Sequence, residues 1–389
     1  MFLYRPFELD SRVEREARTL VAAGYEVEVI ALTGEGLRAR DSRDGYAITR
    51  VSPEGFLTRA LSRLSRLPLL AAPARRGYFF LRMPTWSRRA ARAAAERPAA
   101  LLVGHDVDGL GAAVRAKRAL GAPLIYDAHE LFPDMAAAGR PDYERGGWIR
   151  YERRLIRHAD AVFAVTASRA EVMARRFAIS PRVIRNVPET PHETAEPAAD
   201  LRESLPEGAK VVLYLGGMQA SRGLEEAIRA LERLPDCHLV LMGSGEERYV
   251  ERLRAIAREA GVAERLEIRA PVRPHEVVAV TAAADVGVVL NHRTNLNNYL
   301  SLPNKIFEYV VAGLPVVASD FPDMAELVNR YGVGVTCDPE DPAGIARAVE
   351  AVLREHERYR DGARRAAPEL TWERESEAFL SSVAELVAS

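Results

Sequence analysis

Short apolar runs of strand length alternate with amphipathic stretches of helical length along almost the whole chain. This is the pattern of βαβ units, whose parallel strands are covered on both faces and so read as continuous hydrophobic runs rather than alternating ones. In the first half the runs fall at 25–32, 47–51, 100–103, 123–126, 161–166 and 182–185, and in the second at 211–216, 238–242, 265–269, 286–290, 315–318 and 334–336. The two halves are built alike, which predicts two Rossmann-like α/β domains with parallel sheets. Phe2-Leu3-Tyr4 opens the chain as though a strand were entered midway, which fits either a trimmed start or a short first strand.

Between the halves, residues 188–200 are rich in proline, threonine and acid and carry no periodic apolar positions, so they read as a linker. The domains are accordingly placed at 1–187, with a basic insertion at about 56–98, and at 207–371, with the linker at 188–206. Residues 372–389 form a terminal helix, in which Trp372, Phe379, Leu380, Val383 and Leu386 recur at helical spacing. That face must be buried, and packing back on the N-terminal domain is one way to do it. Open parallel sheets bind ligands beyond the carboxyl ends of their strands, so the function is expected in a cleft between the halves.

Composition changes this picture little. The chain has 389 residues, 48% hydrophobic and 28% charged, with a net charge of −1, so nothing global calls for nucleic acid. Cys237 and Cys337 are too few for a disulfide framework and suit a reducing cytoplasm as small core residues. No run approaches the ~20 apolar residues of a transmembrane helix. The stretch from Phe56 to Pro98 departs from the βαβ pattern. Arg59, Arg63, Arg66, Arg75, Arg76, Arg82, Arg88, Arg89, Arg92 and Arg97 interleave there with leucines and aromatics, against a lone Glu96. Such a segment is drawn to anionic lipid, so peripheral contact with the inner face of the cell membrane is expected, with an ordinary helical insertion as the alternative.

The candidate chemistry is clearest after the strands of the second half. Val211-Val-Leu-Tyr-Leu runs into Gly216-Gly217, then Arg222-Gly223, then a helix, an arrangement that lets backbone N–H groups and a cation approach a diphosphate. Gly243 and Gly245 form a second such turn. A third site opens a helix at Pro303-Asn304-Lys305 and carries Glu308 one turn on, on the same face. A lysine at a helix N-terminus makes electrostatic sense beside a bound anion, and Lys305 is one of three lysines in the chain. A carboxylate there suits ribose hydroxyls, though Lys305 and Glu308 could equally form an intrahelical ion pair.

With these residues in view, the sequence resembles the glycosyltransferase family 4 group of the GT-B fold over nearly its whole length. The segments that carry the resemblance are Asp10-Ser11-Arg12-Val13, Gly104-His105-Asp106, Tyr126-Asp127-Ala-His129-Glu130-Leu-Phe-Pro, Arg185-Asn186-Val-Pro, Leu215-Gly-Gly with Arg222-Gly, and above all Pro303-Asn-Lys-Ile-Phe-Glu308-Tyr followed by Ala312-Gly-Leu-Pro-Val-Val-Ala-Ser319. The resemblance implies that Glu308 contacts the nucleotide ribose and Arg222 the diphosphate. It also implies that the sequence departs from the family pattern twice. Gly217 stands where an arginine is common, and Leu300 where a second glutamate is common, leaving Asn297, Asn298 and Ser301 nearby.

The same resemblance implies that His129 lies beside the transferring sugar, where a neutral imidazole can both donate and accept. His105, Asp106 and Glu130, with Asp10, Ser11 and Arg12, are expected on the acceptor or sugar side, although Asp10 with Ser11 reads equally as a helix N-cap. The implied reaction retains anomeric configuration, with Arg222, Lys305 and helix ends stabilising the departing diphosphate. The sequence shows no aspartate pair at metal-ligand spacing and no His/Cys cluster, so no metal or cofactor is expected. The donor is a nucleotide-diphosphate sugar and the acceptor a saccharide or lipid-linked hydroxyl. A sugar-nucleotide epimerase of similar two-domain fold and a non-catalytic nucleotide-sugar-binding protein are the rival readings.

Overall fold

The computed structural model describes residues 1–8, 10–64, 71–135, 142–190, 201–273 and 276–388, the side chains of 71–80 and 142 excepted. The chain divides into two compact units, Met1–Arg185 with Ser376–Ser389, and Asn186–Glu375. Of the expected linker, residues 191–200 lie outside the described residues.

The first unit holds an eight-stranded sheet of β1 (Phe2–Pro6), β2 (Glu28–Leu32), β3 (Arg40–Arg43), β4 (Tyr46–Val51), β5 (Leu102–His105), β6 (Leu124–Ala128), β7 (Ala161–Ala164) and β8 (Arg182–Val183), in the order β3-β4-β2-β1-β5-β6-β7-β8. Every pairing is parallel except β3 with β4. Strands such as β5 and β6 are buried along their whole length, as a sheet covered on both faces requires. The order reverses between β1 and β5, so the loops leaving these strands diverge and open a place for a ligand. The helix Ser11–Ala22 leaves that point. Asp10 caps it by accepting from the Val13 N–H at 3.2 Å, and Val13, Ala17 and Leu20 bury its inner face.

The second unit holds β9 (Lys210–Leu215), β10 (Cys237–Met242), β11 (Leu266–Arg269), β12 (Val286–Val289), β13 (Val316–Ser319) and β14 (Gly334–Cys337), all parallel, in the order β11-β10-β9-β12-β13-β14. Here the reversal lies between β9 and β12. These two strands pair only at Val286 with Val212 and Gly287 with Leu213 and then part. Tyr309, on the helix Asn304–Val311, fills the gap. Its hydroxyl accepts from the Leu215 N–H at 2.9 Å and faces the Leu213 carbonyl at 3.4 Å, satisfying backbone groups that β12 leaves open. The ring lies on Gly287, where a Cβ would stand 2.4 Å from it, so only glycine lets this helix sit so close to the sheet.

The last helix, Trp372–Ala388, contributes Ser376 onward to the first unit. Phe379 meets Phe163 of β7 edge-on at 6.1 Å, and Arg182 of β8 donates to Ser382 and Glu385, each at 2.6 Å. In the basic stretch, helices run over Phe56–Leu64 and Ala71–Ala94. Trp86 is buried against Tyr4 at 5.1 Å, whereas Phe56 and Leu57 are 87% and 62% exposed. Among the described residues no helix is long and apolar enough to cross a membrane.

Candidate functional site

In the second unit, three loops leaving β9, β10 and β11 are laced together by backbone hydrogen bonds. Gly216 donates to Met242 O at 2.9 Å, Met218 to Ser244 O at 2.7 Å and Gly243 to Arg269 O at 3.1 Å. Gly243, at φ 155°, comes so near Gly216 that a Cβ there would lie 2.0 Å from the Gly216 oxygen, so this glycine serves the approach of the two loops. Beside them lies a pocket of about 340 Å³, lined by Leu215, Gly216, Gly217, Met242, Gly243, Ser244, Pro271, Val272, Val277, Asn304, Lys305 and Glu308. Of the residues expected to bind the donor, Gly216, Gly217, Gly243, Asn304, Lys305 and Glu308 meet there. Gly245 packs on Met218 instead, and Pro303 is the N-cap of the helix Asn304–Val311.

Lys305 stands 3.6 Å from the centre of the Tyr214 ring, near enough for a cation–π contact, and its ammonium is 3.3 Å from where a Gly216 Cβ would be. Desolvation and then the neighbouring Arg222 guanidinium push its pKa well below the ordinary lysine range, against the pull of Glu308. Among the described residues the single side-chain hydrogen bond of Arg222 goes to the neutral Asn291, at 3.2 Å, and Lys305 makes none. Arg222, expected to bind the donor, is not among the residues lining the pocket but is close enough to Lys305 to disfavour its charge, and among the described residues no carboxylate is hydrogen-bonded to either, an arrangement that a nearby anion would relieve. Leu300, standing where the family's second glutamate is common, is buried and cannot offer a polar contact.

In the first unit, the ends of β5 and β6 bring His105, Asp106, Asp127 and His129 together. Asp127 is the hub. Its carboxylate takes Arg12 Nη2 at 2.6 Å and Nε at 2.8 Å, His129 Nε2 at 2.6 Å and His105 Nδ1 at 3.2 Å. Arg12 is completed by Glu16 at 3.0 Å and the Ile184 carbonyl at 2.9 Å. Burial opposes charge on Asp127, yet Arg12 and His129 hold its pKa well below the carboxylate range. Glu16, buried beside that charge, is pushed well above the carboxylate range by desolvation and by Asp127, against the pull of Arg12.

The two histidines part company. Burial takes His105 down to about 4, so it is neutral, with hydrogen bonding to Asp127 only partly offsetting this. For His129 burial also disfavours charge, but Asp127 and Asp106 outweigh it and lift the value to about 9, so it is an imidazolium at neutral pH. The neutral imidazole expected from the sequence is therefore replaced by a cationic donor, because two carboxylates converge on it. Asp106 holds the loop around it. At φ 52°, a conformation costly for a non-glycine residue, its Oδ1 accepts from the His129 and Glu130 N–H groups at 3.0 and 3.1 Å, and Oδ2 from Arg5 at 3.1 Å.

This geometry redistributes the expected acceptor-side residues. Arg12 and His105 are buried and turned onto Asp127, Arg12 through Nε and Nη2 and His105 through Nδ1, while His105 Nε2 lies buried without a partner. Asp10 is the N-cap and pairs with Arg5 at 3.3 Å, Ser11 is exposed at the helix start, and Glu130 pairs with Arg169 at 2.9 Å. The sequence showed no histidine cluster because its members leave different strands. His105, Asp127 and His129 place three ligand-type atoms within 4.8 Å of one another. Arg12 and His129 already supply positive charge to the one carboxylate among them, which disfavours a further cation there.

Comparison with known proteins agrees with this architecture. The family described as Glycosyl transferases group 1 matches residues 209–355, and a Glycosyl transferase 4-like domain matches 9–190. A D-inositol 3-phosphate glycosyltransferase of Xylanimonas cellulosilytica is 28% identical over 68% of this chain, which spans 66% of that relative's length. Among solved structures, sucrose-phosphate synthase from Thermosynechococcus elongatus superposes with a TM-score of 0.77 at 18% identity, covering 100% of this chain and 96% of the other. Anabaena HepE in complex with UDP gives 0.74 at 15% identity, covering 99% of each. These two share the fold, which is GT-B.

Proposed function

The chain belongs to the glycosyl transferases group 1 family, and from that premise we propose that its second unit binds a nucleotide-diphosphate sugar and its first unit binds the hydroxyl acceptor. The observation that carries the proposal is Lys305, which lines the pocket with Glu308 and lies close to Arg222, with no carboxylate hydrogen-bonded to either basic residue among the described residues. A pyrophosphate satisfies both charges, and Glu308 accepts from ribose hydroxyls.

In this reading the departing diphosphate draws its charge stabilisation from Arg222, Lys305 and the helix Asn304–Val311, so transfer proceeds without a divalent cation. The acceptor attacks from the leaving-group side and configuration is retained. His129, held as an imidazolium by Asp127, donates a hydrogen bond to the sugar or acceptor. HepE was solved with UDP, so UDP-sugars head the donor panel, followed by GDP- and ADP-sugars.

The experiment is release of nucleoside diphosphate from each donor, with and without a saccharide or lipid-linked acceptor, in EDTA and in Mg²⁺. Acceptor-dependent release that survives EDTA supports the reading. Isomerised donor without acceptor points instead to an epimerase, and binding without turnover to a silent nucleotide-sugar binder. The exposed Phe56 and Leu57, on a helix that also exposes Arg59 and Arg63, support the reading that this segment contacts an anionic membrane. Flotation with phosphatidylglycerol vesicles but not neutral ones is the expected result, and equal flotation removes this part.

A further inference from the structure

Where β9 and β12 part, the loops that follow them are stitched to one another. His292 donates its backbone N–H to Ser221 O at 2.9 Å, and Ser221 sits at φ 69°, a left-handed conformation that a serine adopts only when its surroundings impose it. Next along the chain is Arg222, whose guanidinium donates to Asn291 Oδ1 at 3.2 Å. Asn291 is itself immobilised. It is 2% exposed, its backbone oxygen accepts from Ser319 Oγ at 2.8 Å, and its amide Nδ2 donates to Ser301 Oγ at 3.3 Å. Ser301 in turn donates to Asn298 O at 2.7 Å and directly follows the buried Leu300.

We propose that Asn291 is the positioning residue that makes this site select diphosphates over monophosphates. It aims Arg222 and, through Ser301, fixes that arginine relative to the loop at 295–303. The assignment rests on the donor reading above. Its physical basis is the neutrality of the amide. A carboxylate at this place would hold Arg222 more strongly but would cancel the charge the phosphate needs, whereas an amide oxygen orients the guanidinium and leaves its charge intact. Aspartate would also lose the Nδ2 donor that Ser301 accepts, releasing the loop.

The test is calorimetric, on the full chain. Binding of UDP, GDP and ADP and of the matching monophosphates is measured for wild type, Asn291→Ala, Asn291→Asp, Arg222→Ala and the Arg222→Ala/Asn291→Ala double variant. Wild type is expected to prefer the diphosphate. Asn291→Ala should lower diphosphate affinity about tenfold with monophosphate affinity unchanged, and near-isosteric Asn291→Asp should lower it at least as far. The double variant should bind no more weakly than Arg222→Ala, since the asparagine acts through the arginine. A diphosphate-to-monophosphate ratio unmoved by both Asn291 variants overturns this assignment alone. So does a double variant whose losses multiply. A wild type that binds none of the three diphosphates overturns the donor reading and this assignment with it.

Discussion

Removing the negative charge at Asp127 should convert His129 from a permanent cation into a neutral base. In the wild type its pKa lies at about 9 against an ordinary 6.5. At ~1.4 kcal/mol per unit, that gap is worth about 3.5 kcal/mol in favour of the imidazolium. Because the folded value is the higher one, the interaction stabilises the protein fully below about pH 6.5 and is lost as pH climbs through about 9. Asp127→Asn keeps the shape but removes the nearer counter-charge, leaving burial and Arg12 acting against protonation and Asp106 acting for it. With Asp106 as its remaining counter-charge, His129 should then titrate clearly below its wild-type value.

The fold should tolerate the change better than the usual removal of a buried carboxylate. Glu16, kept neutral by burial and by Asp127, can ionise in its place and pair with Arg12 at 3.0 Å. The assay is a ¹⁵N-imidazole NMR titration from pH 5 to 10, with His129→Gln supplying the assignment. Alongside it, kcat/KM should be flat over pH 6–8 for wild type and fall through about 9. For Asp127→Asn it should be lower at pH 8, by about tenfold for each unit that the variant's His129 pKa lies below 8, and should recover toward acid pH. A wild-type His129 titrating near 6.5, or an Asp127→Asn variant whose titration stays within half a unit of the wild type, refutes the reasoning.

Glu308→Ala should weaken nucleoside diphosphate binding by about tenfold while sparing inorganic pyrophosphate, measured by calorimetry, because its partner is the ribose. Tyr309→Phe leaves the buried Leu215 N–H without an acceptor and should cost about 1–3 kcal/mol in urea unfolding; an unchanged midpoint would show that the gap between β9 and β12 is filled otherwise. Lys305 with its depressed pKa should shed its proton as pH rises, so donor affinity should fall at alkaline pH and hold in Lys305→Arg, read as KM against pH. Lys305→Met should raise the thermal midpoint of the ligand-free protein while abolishing the stabilisation that UDP gives the wild type, and a lowered ligand-free midpoint would contradict the unpaired-charge account.

Most of the sheet was legible because parallel strands buried on both faces are continuous apolar runs. All twelve such runs carry strands within a few residues of their expected ends. The antiparallel β3, Arg-Asp-Ser-Arg, was missed because it has no apolar residue to betray it. It is a mostly exposed edge strand held by its partner's backbone and by polar contacts such as Arg43 to the Glu8 carbonyl and Asp41 to Arg50. The donor pocket was readable where a charge defied local rules, as Lys305 does at a helix N-terminus. The acceptor side was read less well, because no pattern in sequence separates an arginine that meets a ligand from one that, like Arg12, is buried to hold a carboxylate. Asn291 gave no local signal at all. Its importance comes from the parting of two strands that are 70 residues apart in order, and only the fold brings their ends together.

The two units handle buried charge in opposite ways, and the contrast bears on what each is for. Around Asp127 every charge has its counterpart: Arg12 and His129 balance Asp127, Asp106 faces His129 and Arg5, and Glu16 stays neutral because a further negative charge would be unmatched. Such a cluster is self-sufficient; it fixes an imidazolium in place with or without substrate, as preorganisation requires. Around Lys305 the balance is left open. The lysine is desolvated and repelled by Arg222, only Glu308 and the face of Tyr214 favour its charge, and Arg222 is tethered by an amide rather than an acid. A site in that state is destabilised until an anion arrives, and the repulsion it stores is returned as binding free energy for a ligand with two adjacent negative groups. A diphosphate offers each basic residue its own phosphate group, which is why the open balance suits a diphosphate.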